Sequence, residues 1–331
     1  MKINETVGID ISKKTLDVHI HSKKLSGVFE NSKKGFVQMR KWFLTNIDIP
    51  KDEVLFVFEH TGIYSEEISD FLSKQGLFYK IVPGLEIKKS LGMVRGKSDR
   101  KDAAKIALYG FRLRDEIIPC QIPNRTLRSL KKLLSLRDRL VKQRAGYKAS
   151  VKEQKRILEH KGDKILIETQ LKMIAYLSKQ ISGIEQELLL IISENGKLSQ
   201  IFSLVTGIKG VGRQTALYLI AYSEGFTKFK NYRKLASYCG IAPFPNQSGT
   251  SIRGRTKVSH LANKKLKSLL DLCAKSAITS NGEMKSYYNR RIDTGKNKMS
   301  TINIVRNKLL ARIFAVVKRQ TPYVDTMKYA A

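Results

Sequence analysis

Residues 6–21 read TVGIDISKKTLDVHIH. Thr6–Ile11 is a short apolar run ending in an acid, Asp10. Thr15–His21 alternates apolar and polar residues, the period of a half-buried strand. Lys24–Phe29 extends these into an antiparallel meander of three strands. Working outward, Lys33–Leu44 fits a helix, and Val54–Phe58 (VLFVF) is a buried strand ending at Glu59. Gly62–Ser73 fits a helix, Phe78–Val82 a strand and Leu85–Gly92 a helix. Lys101–Leu113 is a further helix, with Ser98 or Asp99 as its N-cap. Strands followed by alternating helix and strand make an α/β layered domain.

The 331 residues suffice for more than one domain, and 42% hydrophobic residues can bury real cores. Sixty-two basic residues against 29 acidic ones leave a net charge of +33, which calls for a polyanionic partner, by default nucleic acid. The excess is uneven: residues 1–115 carry 21 basic and 15 acidic residues, whereas residues 201–331 carry 24 and 5. The C-terminal segment is therefore the expected nucleic-acid surface. No run of about 18 apolar residues exists, and MKINETVGID lacks the apolar core of a signal peptide, so a membrane role is not expected and a cytoplasmic one is. Cys120, Cys239 and Cys273 are odd in number and far apart, which fits reduced thiols rather than a disulfide framework or a zinc module.

Pro119 and Pro123 suggest a boundary after the α/β domain, which is placed at 1–118. Leu127, Leu130, Leu134 and Val141 then share one helical face, and Leu177, Ile181, Ile184, Leu188 and Ile191 form a coiled-coil-like seam. A break near Lys161–Asp163 turns one helix back on the other. The helical segment 119–198 reads as a spacer or as an oligomerisation element. In the mainly helical segment 199–331, Thr206–Ala221 (TGIKGVGRQTALYLIA) has a helix-hairpin-helix signature. Its Gly-rich turn, flanked by Lys209 and Arg213, either exposes amides to a phosphate or is only a tight turn between helices. Downstream, Asn246–Lys267 (NQSGTSIRGRTKVSHLANKKLK) packs Arg253, Arg255, Lys257, Lys264, Lys265 and Lys267 among small polar residues with no acid. On charge alone it is a solvated basic loop or a phosphate-binding surface, and its hydroxyls are equivalent.

The N-terminal acids are more telling. Asp10 sits in a strand, where a charge is expensive without a partner. Glu59 ends the next buried strand, and Asp99 and Asp102 share one face of a helix start. Singly, each has a bland explanation: a turn cap, a lysine partner, an N-cap. Gathered on one sheet edge, four carboxylates repel each other, and a divalent cation resolves the conflict. Hard oxygen donors suit Mg²⁺ or Mn²⁺, which keep open positions for phosphate oxygens. Strand acid, strand-end acid and a D-x-x-D helix is the order in which RNase H-like nucleases collect metal ligands.

At "VGIDISKKTLDV", "FEHTGIYS" and "GKSDRKDAAKIA" the chain resembles the DEDD transposases of the IS110 insertion-sequence family. At "LVTGIKGVGRQTALYLIA" and "LASYCGIAPFPNQSGTSIRGRTKVSHLANKKLKSLL" it resembles that family's second domain. The resemblance implies an RNase H-like, RuvC-like domain bearing Asp10, Glu59, Asp99 and Asp102, a coiled-coil spacer, and a C-terminal transposase domain. From the match at Pro243–Gly249 it implies Ser248 as nucleophile, with a covalent phosphoserine link to cleaved DNA and strand exchange. It further implies donor and target DNA, a structured guide (bridge) RNA, and dimers pairing into a synaptic tetramer. A RuvC-like junction nuclease using water is the alternative activity.

Overall fold

In a computed structural model the described residues are 2–90, 99–120, 124–157, 164–248, 252–280 and 282–324; the side chains of residues 99, 100, 248, 252 and 253 fall outside the description. The chain divides into two compact units, 1–123 and 124–331.

The first unit follows the order expected from its sequence. Strands β1 (Glu5–Ile11), β2 (Thr15–Ile20) and β3 (Leu25–Glu30) precede helix α1 (Lys33–Asn46). Then come β4 (Val54–Glu59), α2 (Glu66–Lys74), β5 (Phe78–Val82), α3 (Gly84–Ser90) and α4 (Asp99–Arg112). The sheet order is β3-β2-β1-β4-β5, with β1, β2 and β3 antiparallel and β1, β4 and β5 parallel. VLFVF carries no alternation because β4 is central and covered on both faces. Phe56 and Phe58 join Val7, Ile9 and Ile11 against α1 and α2; Leu55 and Val57 join Ile106 of α4 and Ile87 of α3 on the opposite face. Helices thus cover both sides of a mixed sheet.

Small residues bring α4 down onto the sheet. A Cβ on Gly8 would run into the backbone of Ala103 and Ala107, and one on Gly110 would stand 2.7 Å from Val57 Cγ2. Thr6 Oγ1 donates to Ala107 O at 2.9 Å. Along β1, Thr6 meets the Ala107 end of α4 and Gly8 meets Ala103, so α4 runs antiparallel to β1. The acid that β1 buries completely is Glu5, whose carboxylate accepts from the Ser22 hydroxyl and from the Thr6 amide at 2.8 Å.

The second unit is built on α5 (Arg125–Ile157) and α6 (Lys164–Ser193), paired as a hairpin. Leu127, Leu130, Leu134, Leu188 and Ile192 belong to the same core as the helices that follow, so the hairpin is rooted in that core as well as paired along its length. Arg137 Nη2 meets Glu185 at 2.6 Å, Arg144 donates to Ser178, and Gln170 to Gln154. Lys161–Asp163, where a break was expected, lies outside the described residues. The chain continues through α7 (Gly196–Thr206), α8 (Arg213–Ser223), α9 (Tyr232–Tyr238), β6 (Pro243–Ser248), β7 (Ile252–Val258), α10 (Lys264–Ser280), α11 (Gly282–Asp293) and α12 (Lys298–Arg319).

Tyr287 and Tyr288 lie against this core. Arg306, nearly buried, is held by Asp271 of α10, which also meets Lys275 at 2.9 Å. Cys120, Cys239 and Cys273 are free; burial pushes the Cys239 thiol up to about 12, so it stays protonated. No single described helix is long and apolar enough to cross a membrane.

Candidate functional site

Asp10 and Glu59 stand on neighbouring parallel strands. Ile9 pairs with Phe58, so one step on Asp10 and Glu59 share a register level at the carboxyl end of the sheet. Thr6, Gly8 and Asp10 alternate onto the face that α4 covers. Since α4 runs antiparallel to β1, its first turn, with Asp99 and Asp102, comes over the end where Asp10 stands. Asp102 lies one helical turn before Ile106, which packs on Leu55, Val57 and Val82, so it is on the β4 side of α4. Tyr109 continues that stripe and donates to Glu86 of α3 at 2.6 Å. Burial, with the Glu86 hydrogen bond, pushes this phenol above its ordinary value and keeps it a donor.

Two features of this edge were not legible in the sequence. The carboxylate of Glu59 occupies the place of a Cβ on Gly84, at the start of α3. The only signal is the Pro-Gly pair after β5, which reads as a turn. Lys105 Nζ meets Asp102 Oδ1 at 2.6 Å, an i,i+3 pair on α4. Among the described residues no group of three or more His, Cys, Asp or Glu side chains stands ready for a metal; the side chain of Asp99 is not among them. Asp10, Glu59 and Asp102 are hard oxygen donors, the ligand chemistry of Mg²⁺ or Mn²⁺, on elements that meet at this edge.

In the second unit the sequence expected a motif, and the structure adds a hairpin. β6 pairs antiparallel with β7, Ser248 opposite Ile252 and Gln247 opposite Arg253, with an irregularity between Phe244 and Asn246 that accommodates Pro245. Gly249, Thr250 and Ser251 lie outside the described residues. Phe244 to Gln247 and Gly254 to Lys257 are exposed, and none of the hairpin's described side chains belongs to the core. Between Gly254, opposite Asn246, and Lys257, opposite Phe244, β7 carries one residue more than β6, so its alternation shifts there. On β6, positions 244, 246 and 248 fall on one alternation, so position 257, opposite 244, is on the same side of the ribbon as 248. Arg255 and Lys257 are exposed cations of this hairpin.

The Gly-rich stretch is a turn between α7 and α8. Gly210 has φ +90, and a Cβ there would stand 2.7 Å from that of Ala277, so both the backbone and the contact with α10 require glycine. Gly212 caps α8 with open space around it and no side-chain cap, leaving first-turn amides of α8 without a side-chain acceptor. Lys209 and Arg213 are exposed on either side. Lys264 is exposed at the start of α10, but Lys265 binds Asp138 of α5 at 2.7 Å and lies 5.2 Å from the centroid of the Tyr218 ring. It ties the hairpin to the helical core.

Two family comparisons match the chain in this same order. The DEDD-type IS110 transposase family, described as Transposase, matches residues 7–156, and the family described as Transposase IS116/IS110/IS902 matches residues 203–289. The chain carries both domains of the IS110-family transposases. Transposases of this kind are enzymes that cleave and rejoin DNA, and the DEDD domain implies an RNase H-like fold for the first unit of the chain. The chain is 28% identical to the "Pilin gene-inverting protein" of Moraxella lacunata over 96% of its own length and 97% of that protein. The protein of that name from Moraxella bovis is similar to the same extent. Over 124 residues, 38% of this chain and 30% of the other, it is 30% identical to the "Insertion element IS110 uncharacterized 43.6 kDa protein" of Streptomyces coelicolor.

Proposed function

We propose that this transposase cuts and rejoins DNA through the carboxylates of its first unit and a serine, Ser248, of its second. The observation that carries the reading is the register of Asp10 with Glu59 beneath the start of α4. A Mg²⁺ or Mn²⁺ ion held by Asp10, Glu59, Asp99 and Asp102 would supply positive charge to the scissile phosphate and to the attacking and leaving oxygens. The Ser248 Oγ attacks phosphorus, a P–O(serine) bond forms, and the deoxyribose oxygen leaves as a hydroxyl with the serine's proton. Rejoining reverses this: a deoxyribose hydroxyl attacks the phosphoserine and the serine hydroxyl is restored. The bond energy is kept in the phosphoserine, so no nucleotide is consumed. Arg253, Arg255 and Lys257, on the β6–β7 hairpin, bind DNA backbone. Lys209, Arg213 and the amides of the α7–α8 turn hold a further phosphate.

In this reading 1–118 is the catalytic carboxylate domain, 119–198 the spacer and dimer contact, and 199–331 the serine domain. Ile165, Leu166 and Tyr176 are exposed apolar residues on α6, which suits contact with a second copy. A structured guide RNA chooses the DNA, and the protein reads its shape and backbone. The excess of base over acid after residue 200 favours it. Kinship with proteins named for inverting a pilin gene favours exchange between two sites over simple cleavage.

A second reading, a RuvC-like nuclease in which water replaces Ser248, is favoured by the DEDD match over residues 7–156. A trapping assay separates the two. Purified protein is incubated with Mg²⁺, guide RNA and nicked target DNA, then denatured. A protein–DNA adduct absent from both Ser248→Ala and Asp10→Ala supports the serine reading. Cleavage without an adduct that survives Ser248→Ala supports the nuclease.

A further inference from the structure

We propose that the second unit contains a pocket for one unpaired nucleobase, floored by Phe226, Phe229 and Phe314 and rimmed by Lys197, Lys230 and Lys318. None of these residues belongs to the β6–β7 hairpin or to the α7–α8 turn. The pocket is a cavity of about 280 Å³ between the start of α7, the α8–α9 connection and the end of α12. That is the small end of ligand sites, the size of one planar ring system with its sugar and far too narrow for a duplex.

The charge around it is one-sided. Among the described residues no acid lines the cavity. The nearest acid in sequence, Glu224, is turned to Lys131 at 3.6 Å and Lys228 at 3.8 Å. Lys197, Lys230 and Lys318 have no carboxylate partner among the described residues. An apolar peptide side chain has no use for three ammonium groups, whereas a nucleotide places a π-face on the rings and its flanking phosphates on the rim.

The backbone here is held in a costly conformation. Glu224, Gly225 and Phe226 are consecutive left-handed residues, with φ of 56, 66 and 66. Gln320, which also lines the cavity, has φ 56. Glu224, Phe226 and Gln320 are three of the four described non-glycine residues with positive φ. Glu224 and Gln320 are the left-handed caps that end α8 and α12, which leaves Phe226 as the residue held there by packing. The turn swings Phe226 against Phe314, ring centroids 6.1 Å apart and edge-on, which keeps the floor in place.

The pocket rests on the reading that the chain handles nucleic acid, so its test must separate the two. Single strands of about 12 nucleotides with one 2-aminopurine, as DNA and as RNA of the same sequence, are titrated into the full-length protein beside a fully paired DNA duplex. Phe229→Leu and the triple variant Lys197→Gln/Lys230→Gln/Lys318→Gln are compared after thermal melting shows them folded. The wild type is expected to quench the probe in the strand it prefers, DNA or RNA, which identifies the source of the base. Phe229→Leu should lose the quench and about tenfold in single-strand affinity while duplex affinity holds. The triple variant should weaken the salt dependence of single-strand binding. Unchanged quenching and affinity in both variants, or an equal loss for the duplex, overturns the pocket and leaves the transposase reading intact. Failure of the wild type to bind any of the three nucleic acids overturns both.

Discussion

The carboxylate of Glu59 stands where a Cβ on Gly84 would be. A strand-end acid and a helix-start glycine, joined by nothing in sequence, define one position at the sheet edge. Gly84→Ala is expected to displace Glu59 and to lower DNA cleavage tenfold or more, with the first unit destabilised by about 1–3 kcal/mol at most. Cleavage measured against Mg²⁺ concentration, with melting as control, checks it; full activity in Gly84→Ala would remove Glu59's present position from the mechanism.

Lys105 competes for Asp102. Lys105→Met removes the competing cation, so half-maximal cleavage should need several-fold less Mg²⁺. A rise in the Mg²⁺ requirement would mean that Lys105 supports the site rather than shields it.

Two glycine substitutions should move stability in opposite directions. Gly8→Ala forces a Cβ into the backbone of α4 and should cost more than about 3 kcal/mol, since α4 cannot shift without leaving the sheet. Gly146→Ala, inside α5 with open space around it, should stabilise by about 0.5–1 kcal/mol. Chemical denaturation reads both.

Acid should weaken the second unit through Asp271. Burial opposes its ionisation, but hydrogen bonds from Lys275 and Arg306 outweigh that and hold its pKa below the ordinary 3.8. The folded value is the lower one, so this stabilisation is complete above the unfolded pKa and is lost as pH falls through the folded one. Asp271→Asn should cost about 3 kcal/mol by leaving Arg306 nearly buried without its anion, and should flatten the acid limb of a stability–pH profile.

Arg255→Gln/Lys257→Gln should reduce the slope of log affinity for DNA against log salt by about 0.9 per lost contact. Lys265→Gln should leave that slope unchanged and instead lower thermal stability, because its partner is Asp138. A slope change in Lys265→Gln would return that residue to the DNA surface.

The elements of the first unit are legible because each carries its own signal. β2 alternates, β4 is a continuous apolar run, and Ser32 caps α1 by accepting from the Gly35 amide at 3.2 Å. The β6–β7 hairpin is not legible in that way. In IRGRTKV, Gly254 to Lys257 are exposed, so no buried face imposes apolar alternation, and charge dominates the pattern. In isolation a two-stranded ribbon without a core is marginal, and pairing is what distinguishes it from a loop.

By itself the sequence determined the order of elements, the charge that calls for a polyanion, and the acids worth suspecting, because burial periodicity and composition are local properties. Tertiary structure decided what those residues meet. It put Asp10 in register with Glu59, turned Lys265 to Asp138, and paired β6 with β7 around an extra residue between Gly254 and Lys257. Register, helix direction and close approach at glycine are set by contacts between segments far apart in the chain, and no local pattern encodes them.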